Sequence, residues 1–245
     1  MADDEVDDGR TQTAGEVMSG GWAAAFIAGE QVELTPLRAE KRRLADAIRR
    51  ATETLVSADL PIEEVARAAD DLEAVVERFE ALPPAEYEGF GEMANAPRAE
   101  GFFDRSPILG RANPISPPLT MVRGDGQIVA TATFGSAYEG PPGCVHGGWI
   151  AASFDEVLGA AQSLSGTGGM TAFLHVNYRL PTPLHAEVRF EGDFDRRDGR
   201  KVFTRGRLLH GDRLCADAEA LFIAVDADRF AEMERERRAR PRPEA

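Results

Sequence analysis

An aspartate inside an apolar helical pattern is the first candidate for chemistry in this sequence. Asp155 falls in a segment from about Gly147 to Leu164 in which apolar residues recur at helical spacing and few polar side chains occur. Aspartate is a poor helix-interior residue, and Asp155 lies about two turns past the helix start, too far to cap it. A carboxylate placed against propensity indicates a site, because it can activate water or attack an electrophile directly.

The start of the same helix supplies a second chemical feature. Gly147 and Gly148 open the helix, where unpaired backbone N–H groups and the helix dipole favour a negatively charged oxygen. Glycine lets a carbonyl group approach the backbone closely, so Gly147 is the first candidate oxyanion donor and Gly148 the second. The alternative is that the two glycines only permit a tight entry into the helix.

Two neighbouring residues have open roles. His146 precedes the helix and can either orient a substrate or act as a structural cap. Glu156 is the rival carboxylate, but it points about 100° away from Asp155 around the helix. We expect Glu156 to face solvent or a contact between subunits.

The elements around this helix form an α+β pattern. A hairpin is predicted from Leu119 to Phe134, and three or four long antiparallel strands follow the helix over about 172–225, joined by turns at Asp198-Gly199 and Gly211-Asp212. The helix itself leaves little polar surface, so a sheet must wrap around it. Periodicity alone is also compatible with other α+β layouts.

The rest of the chain divides into an extension and two tails. Leu37 to Leu55 and Pro61 to about Leu82 have the pattern of two amphipathic helices. Because the strand and helix pattern is complete from about Leu119 onward, we expect residues 1–110 to take no part in the catalytic fold. The predicted divisions are an acidic tail, a helical extension with a linker, the α+β domain and a charged tail, at 1–33, 34–117, 118–226 and 227–245.

The composition excludes several functions. Among 245 residues, 28 are Lys or Arg and 42 are Asp or Glu, a net charge of −14 that disfavours binding to nucleic acid or anionic membranes. Cys144 and Cys215 are too few for a disulfide framework and lack the spacing of a zinc site, so no metal or other cofactor is expected. With an acidic N-terminus and no long apolar run, the chain is expected to be cytoplasmic.

The segment from Gly140 to Gly159 resembles the signature of PaaI-type hotdog thioesterases. In that family a His-Gly-Gly opens the central helix and an Asp follows nine residues after the His, as Asp155 follows His146 here. The strand from Thr171 to Pro181 is similar to the next strand of the family. The Gly-Pro-Pro-Gly loop looks most like the branch that includes mammalian thioesterase superfamily member 4, and the resemblance covers roughly 118–226.

The resemblance implies a hotdog fold, a curled antiparallel sheet around one central helix, and hydrolysis of an acyl-CoA to a carboxylic acid and free CoA. It implies that Asp155 is the general base or nucleophile and that the Gly147 amide is the oxyanion donor. It also places the Thr171 hydroxyl near the reacting centre, whereas a Thr at a strand start is ordinarily only a strand former. Asn177 and Arg179 become candidate substrate-binding residues, Arg179 for the CoA phosphates.

Two chains are expected to share each site. Gly147 and Asp155 are separated by about 12 Å along the helix axis, so one thioester carbon cannot readily meet both. A homodimer or homotetramer with antiparallel central helices would bring Asp155 of one chain to Gly147 of another, as the family also implies.

One departure from the family concerns Gly140, which stands where some bacterial members have an Asn. The departure puts substrate range and rate in doubt more than the type of reaction. Two alternatives stay open: a non-catalytic hotdog module that binds an acyl thioester or a partner, and a hotdog dehydratase or hydratase. The second group places its His and Asp differently from this chain.

Overall fold

The computed structural model describes residues 34–83, 104, 106–225, 232, 235 and 236. The predicted acidic tail and most of the predicted C-terminal tail lie outside these residues. Two helices come first, α1 at Pro36–Ser57 and α2 at Ile62–Glu80, and the helix predicted at Gly147 follows the first hairpin. In chain order, the remaining elements are β1 Thr120–Arg123, β2 Gln127–Thr133, α3 Gly147–Gln162, β3 Gly169–Tyr178, β4 Glu187–Asp198, β5 Lys201–His210 and β6 Arg213–Ala224.

The strands form one antiparallel sheet in the order β1-β2-β4-β5-β6-β3. One tight turn joins β4 to β5 and another joins β5 to β6. Gly199 in the first and Gly211 in the second each adopt a positive φ angle of 57°. The chain passes through α3 between β2 and β3, so β3 joins the opposite edge of the sheet from β1. The predicted order of two strands, one helix and then up to four strands is confirmed, with four strands after the helix.

The sheet packs closely around α3. Phe154, Val157 and Leu158 on the helix are fully buried, and the ring of Phe154 meets that of Phe190 edge-on at 5.2 Å. A Cβ at Gly192 in β4 would lie 2.8 Å from Cγ1 of Val157, so only glycine allows the sheet to come this near the helix. A curled antiparallel sheet around one buried helix is the hotdog fold, and that prediction is confirmed.

The outer edge of β3 is open. β3 pairs with β6 on one side, and within the described residues no strand pairs with its other side. Met170, Phe173 and Tyr178 on this strand are 49%, 44% and 55% exposed. An exposed strand edge that carries large apolar side chains is suited to pairing with another strand.

The helix α1 binds the segment that precedes the hotdog domain through its arginines. Nε of Arg38 and Nη2 of Arg42 bind the carboxylate of Asp104 at 2.8 and 2.6 Å. Nη2 of Arg49 donates to the Asn113 carbonyl at 2.7 Å. These partners all lie on the N-terminal side of the division drawn from the sequence at 117/118; across it, the Glu53 carboxylate accepts the N–H of Ser136 at 2.8 Å.

The helix α2 has a different environment. None of its residues is buried, and its apolar side chains, including Ile62 at 77% and Leu72 at 56%, face outward. None of the helices in the described parts of the chain is long and apolar enough to span a membrane.

Candidate active site

The first turn of α3 leaves one backbone donor available. Nδ1 of His146 accepts the N–H of Gly148 at 3.0 Å, and the His146 carbonyl accepts those of Trp149 and Ile150 at 3.0 and 3.4 Å. Among the described residues no acceptor takes the N–H of Gly147. Of the two candidate donors, the N–H of Gly147 is therefore unengaged, while that of Gly148 is engaged by the cap.

The side chain of His146 makes the N-terminal cap of α3. Its ring caps α3 through Nδ1, so in the neutral form the proton resides on Nε2. The cap holds the backbone on the C-terminal side of Gly147. Of the two roles left open by the sequence, the contacts correspond to the cap.

A cavity of about 420 Å³ adjoins Gly147. Its lining is mostly apolar and comes from the loop before α3, the first turn of α3 and the segment after β3. The residues that line it include Pro141, Val145, Ile150, Leu180, Tyr178 and Arg179. An apolar cleft beside a free backbone donor is suited to an acyl group whose carbonyl oxygen points at the helix start.

Tyr178 binds the backbone carbonyl group of Gly147. Its hydroxyl donates to the Gly147 carbonyl at 2.8 Å, and a Cβ on Gly147 would lie 3.2 Å from that hydroxyl oxygen. The close contact explains why glycine suits this position. The sequence pattern gave Tyr178 only as a strand residue, and no spacing in the sequence indicates its contact with the helix.

Asn177 and Arg179 share one partner, Asp217. Nδ2 of Asn177 donates to Oδ1 of Asp217 at 2.9 Å, and Nε of Arg179 donates to Oδ2 at 2.5 Å. The hydrogen bond from Arg179 is the main reason that the pKa of Asp217 lies below its ordinary value. Asp217 was not identified from the sequence, although it lies directly opposite Asn177 in the β3–β6 register.

Asp155 and Thr171 form the second polar pair of the site. The Thr171 hydroxyl donates to Oδ1 of Asp155 at 2.9 Å, and Asp155 is half-buried. With its proton committed to the carboxylate, the hydroxyl oxygen keeps lone pairs that can accept from water. The rival Glu156 is also half-buried.

The two parts of the site lie apart in one chain. Tyr178 contacts Gly147, whereas Thr171, at the other end of β3, contacts Asp155. Along the axis of α3 the separation of Gly147 and Asp155 corresponds to about 12 Å. The fold thus brings Thr171 to Asp155 at one end of β3 and Tyr178 to Gly147 at the other. It does not bring the carboxylate to the free amide of the same chain.

The site has no metal-binding arrangement in the described residues. No group of three or more His, Cys, Asp or Glu side chains there is placed to hold an ion. Cys144 and Cys215 are both free thiols. The polar groups described above are the Asp155 carboxylate, the Thr171 hydroxyl and the Gly147 backbone amide.

Comparisons with known proteins place this geometry in context. The family model described as Thioesterase superfamily matches residues 142–216, the stretch that contains every candidate site residue from His146 to Arg179. A crystal structure of a thioesterase superfamily protein is similar to this chain with a TM-score of 0.66 and 34% identity, over 75% of this chain and 94% of that one.

Two curated proteins are similar over a shorter range. Acyl-coenzyme A thioesterase THEM4 of Xenopus laevis is 42% identical over 93 residues, which are 37% of this chain and 42% of that protein. The protein of the same description from Bos taurus is 35% identical over 97 residues, 39% of this chain and 40% of that protein. The matches therefore span about two fifths of the length of these relatives.

Proposed function

Since the chain belongs to the thioesterase superfamily, we propose that it hydrolyses the thioester of an acyl-CoA to a carboxylic acid and free CoA. The observation that carries the proposal is the unengaged N–H of Gly147, which adjoins an apolar cavity at the start of the central helix. The relatives described as acyl-coenzyme A thioesterases support the choice of substrate class.

The Gly147 amide would stabilise the charge that develops on the thioester carbonyl oxygen. The donor is fixed before reaction by the His146 cap and the Tyr178 hydroxyl, so little reorganisation is needed as the charge forms. The partial positive charge at the start of α3 acts in the same direction. Collapse of the tetrahedral intermediate then releases the CoA sulfur.

Asp155 would drive the attack on the carbonyl carbon. As a general base it takes a proton from water while the water oxygen bonds to the carbon. As a nucleophile it bonds to the carbon itself, and water then hydrolyses the resulting anhydride. The Thr171 hydroxyl, which already donates to Asp155, can accept a hydrogen bond from the same water.

Each site would contain residues of two chains. Antiparallel pairing of two β3 edges about an axis between Leu174 and His175 would place Thr171 of one chain across from Tyr178 of the other. Since Thr171 contacts Asp155 and Tyr178 contacts Gly147, the same symmetry would bring Asp155 to the Gly147 of the second chain. The open, apolar edge of β3 supports this homodimer, and further pairing would give a homotetramer.

CoA binding would depend on local cations because the chain has a net charge of −14. The guanidinium of Arg179 adjoins the cavity and is 54% exposed, so it can reach a phosphate at the cavity mouth. Asn177 would act through Asp217, which orients Arg179. We also propose a cytoplasmic location, in keeping with two free thiols.

A screen of acyl-CoAs that differ in chain length, with detection of the released thiol, tests the proposal. The same acyl groups on a carrier protein and the Asp155→Asn variant complete the design. We expect turnover of at least one acyl-CoA that disappears in the variant. Saturable binding of acyl-CoA without thiol release would instead indicate a binding module, and equal release by the variant would exclude Asp155.

A further inference from the structure

A glutamate of the N-terminal helix reaches the loop that precedes the candidate site. Glu53, near the end of α1, accepts the N–H of Ser136 at 2.8 Å and that of Ala137 at 3.0 Å, one with each carboxylate oxygen. A Cβ at Gly135 would lie 2.5 Å from Oε2 of Glu53, so the loop fits closely around the carboxylate. Both amides belong to the start of a short 3-10 helix at Ser136–Tyr138.

The segment held by Glu53 is in direct contact with both sides of Gly147. The carbonyl of Tyr138 accepts the N–H of His146 at 2.9 Å. The ring of Tyr138 packs edge-on against Trp149 at 5.1 Å. One residue of the loop therefore sets the backbone before Gly147 and the first helical turn after it.

The other ionic contacts of α1 do not reach this loop. Arg38 and Arg42 bind Asp104, and Arg49 binds carbonyls at Gly110 and Asn113. The Arg38 and Arg42 pairs hold α1 to Asp104, apart from the loop that Glu53 binds. Arg49 does not touch the loop directly, but it also donates to the Ser116 hydroxyl, and the Ser116 carbonyl accepts the Tyr138 hydroxyl at 3.1 Å. Arg42, and not Arg49, is therefore the comparison for Glu53.

We propose that Glu53 is a positioning residue for the Gly147 oxyanion donor, so that one side chain of the helical extension supports the site. The inference rests on the proposed function for its kinetic consequence. Two adjacent amides donate charge-assisted hydrogen bonds to the Glu53 carboxylate and so fix the 3-10 helix. Tyr138, the last residue of that helix, contacts His146 and Trp149, and these contacts fix the backbone on both sides of Gly147. Small displacements of a donor are costly because the donor acts on a charge that exists only in the transition state.

Glu53→Gln is the informative substitution, because a glutamine has one acceptor oxygen and its NH2 group would face an N–H donor. Arg42→Gln is the matched control, since it removes one ion pair to Asp104, leaves the Arg38 pair to hold α1 and does not touch residues 135–138. Two measurements apply to the full chain: steady-state kinetics well below the Tm of each variant, and hydrogen–deuterium exchange of peptides that cover residues 135–149.

We expect Glu53→Gln to lower kcat about tenfold with KM changed less than about twofold, and to speed exchange in 135–149. Arg42→Gln should leave kcat and that exchange unchanged. Unchanged exchange in Glu53→Gln, or equal effects of the two variants, would overturn the proposal. Absence of acyl-CoA turnover in the wild type would count against the proposed function alone, because exchange still decides whether Glu53 holds the segment around Gly147.

Discussion

The hydroxyl of Thr171 donates a hydrogen bond of 2.9 Å to Oδ1 of Asp155, and this contact joins the central helix to the edge strand. At the other end of the same strand, Tyr178 makes the matching contact to Gly147. The strand β3 therefore bridges the carboxylate and the amide donor and keeps them a fixed distance apart. An edge strand that carries both ends of a site is well placed to form two sites on pairing with its copy.

The carboxylate of Asp155 should be essential to turnover. Asp155→Asn keeps the size of the side chain and an oxygen that can accept from Thr171, but it removes the charge and the base. We expect kcat to fall by about a hundredfold or more with little change in Tm. Glu156→Gln, one residue further along the helix, is the control and should keep most of the activity. Equal losses in the two variants would contradict the role of Asp155.

Local patterns predicted most of the fold and indicated the residues of the candidate site. The apolar helix, its two opening glycines and the alternating strands are encoded within short stretches of chain, and the structure has each of them. Asp155 was predicted because a carboxylate in an apolar helix is exceptional. The capping role of His146 was among the alternatives that the sequence left open.

The missed residues act across long separations. Tyr178 contacts Gly147 from 31 residues away in sequence, and Glu53 contacts Ser136 from 83 residues away. In the sequence, Glu53 is one charge on a charged amphipathic helix, and nothing in its spacing distinguishes it from a solvated side chain. Such contacts depend on how elements pack, which periodicity does not encode.

Arg179 should contribute to affinity for CoA and not to the chemical step. Arg179→Gln removes the charge beside the cavity, and we expect KM for acyl-CoA to rise about tenfold with kcat nearly unchanged, as for loss of one charged hydrogen bond. Acyl thioesters of N-acetylcysteamine, which lack phosphates, are the control substrate and should show no such rise. An equal rise in KM for both substrates would show that Arg179 does not recognise the CoA phosphates.

Glu53 should make stability depend on pH in the acid range. Hydrogen bonds from the amides of Ala137 and then Ser136, with a smaller contribution from His185, hold the pKa of Glu53 below its ordinary value of 4.5. A carboxyl whose pKa is lowered by folding stabilises the folded state above its unfolded pKa. That contribution is lost as pH falls through the lower pKa of the folded state.

Denaturation of the wild type and of Glu53→Gln at a series of pH values measures this contribution. At pH 7 we expect the wild type to be more stable by about 1 kcal/mol, as for the loss of a helix cap. The difference should shrink as pH falls below about 4.5 and disappear once Glu53 is protonated in the folded state. A difference that stays constant down to acid unfolding would contradict the ionised contact.

Complementation between two inactive variants is the most direct test of a site shared by two chains. Asp155→Asn lacks the carboxylate, and Gly147→Pro lacks the amide donor at a helix position that tolerates proline. Gly147→Ala is the matched control, because it adds a Cβ beside Tyr178 but keeps the N–H. Each of the first two variants should be inactive alone and folded by circular dichroism, and Gly147→Ala should keep measurable activity.

In a mixed dimer one site contains both Asp155→Asn and Gly147→Pro, and the other site contains the native Asp155 and Gly147. With random exchange at equal amounts about half of the dimers are mixed, and one of the two sites in each mixed dimer is intact. We therefore predict that about a quarter of wild-type activity returns. Native mass spectrometry establishes that the subunits have exchanged. No recovery of activity after confirmed exchange between folded variants would contradict the shared site.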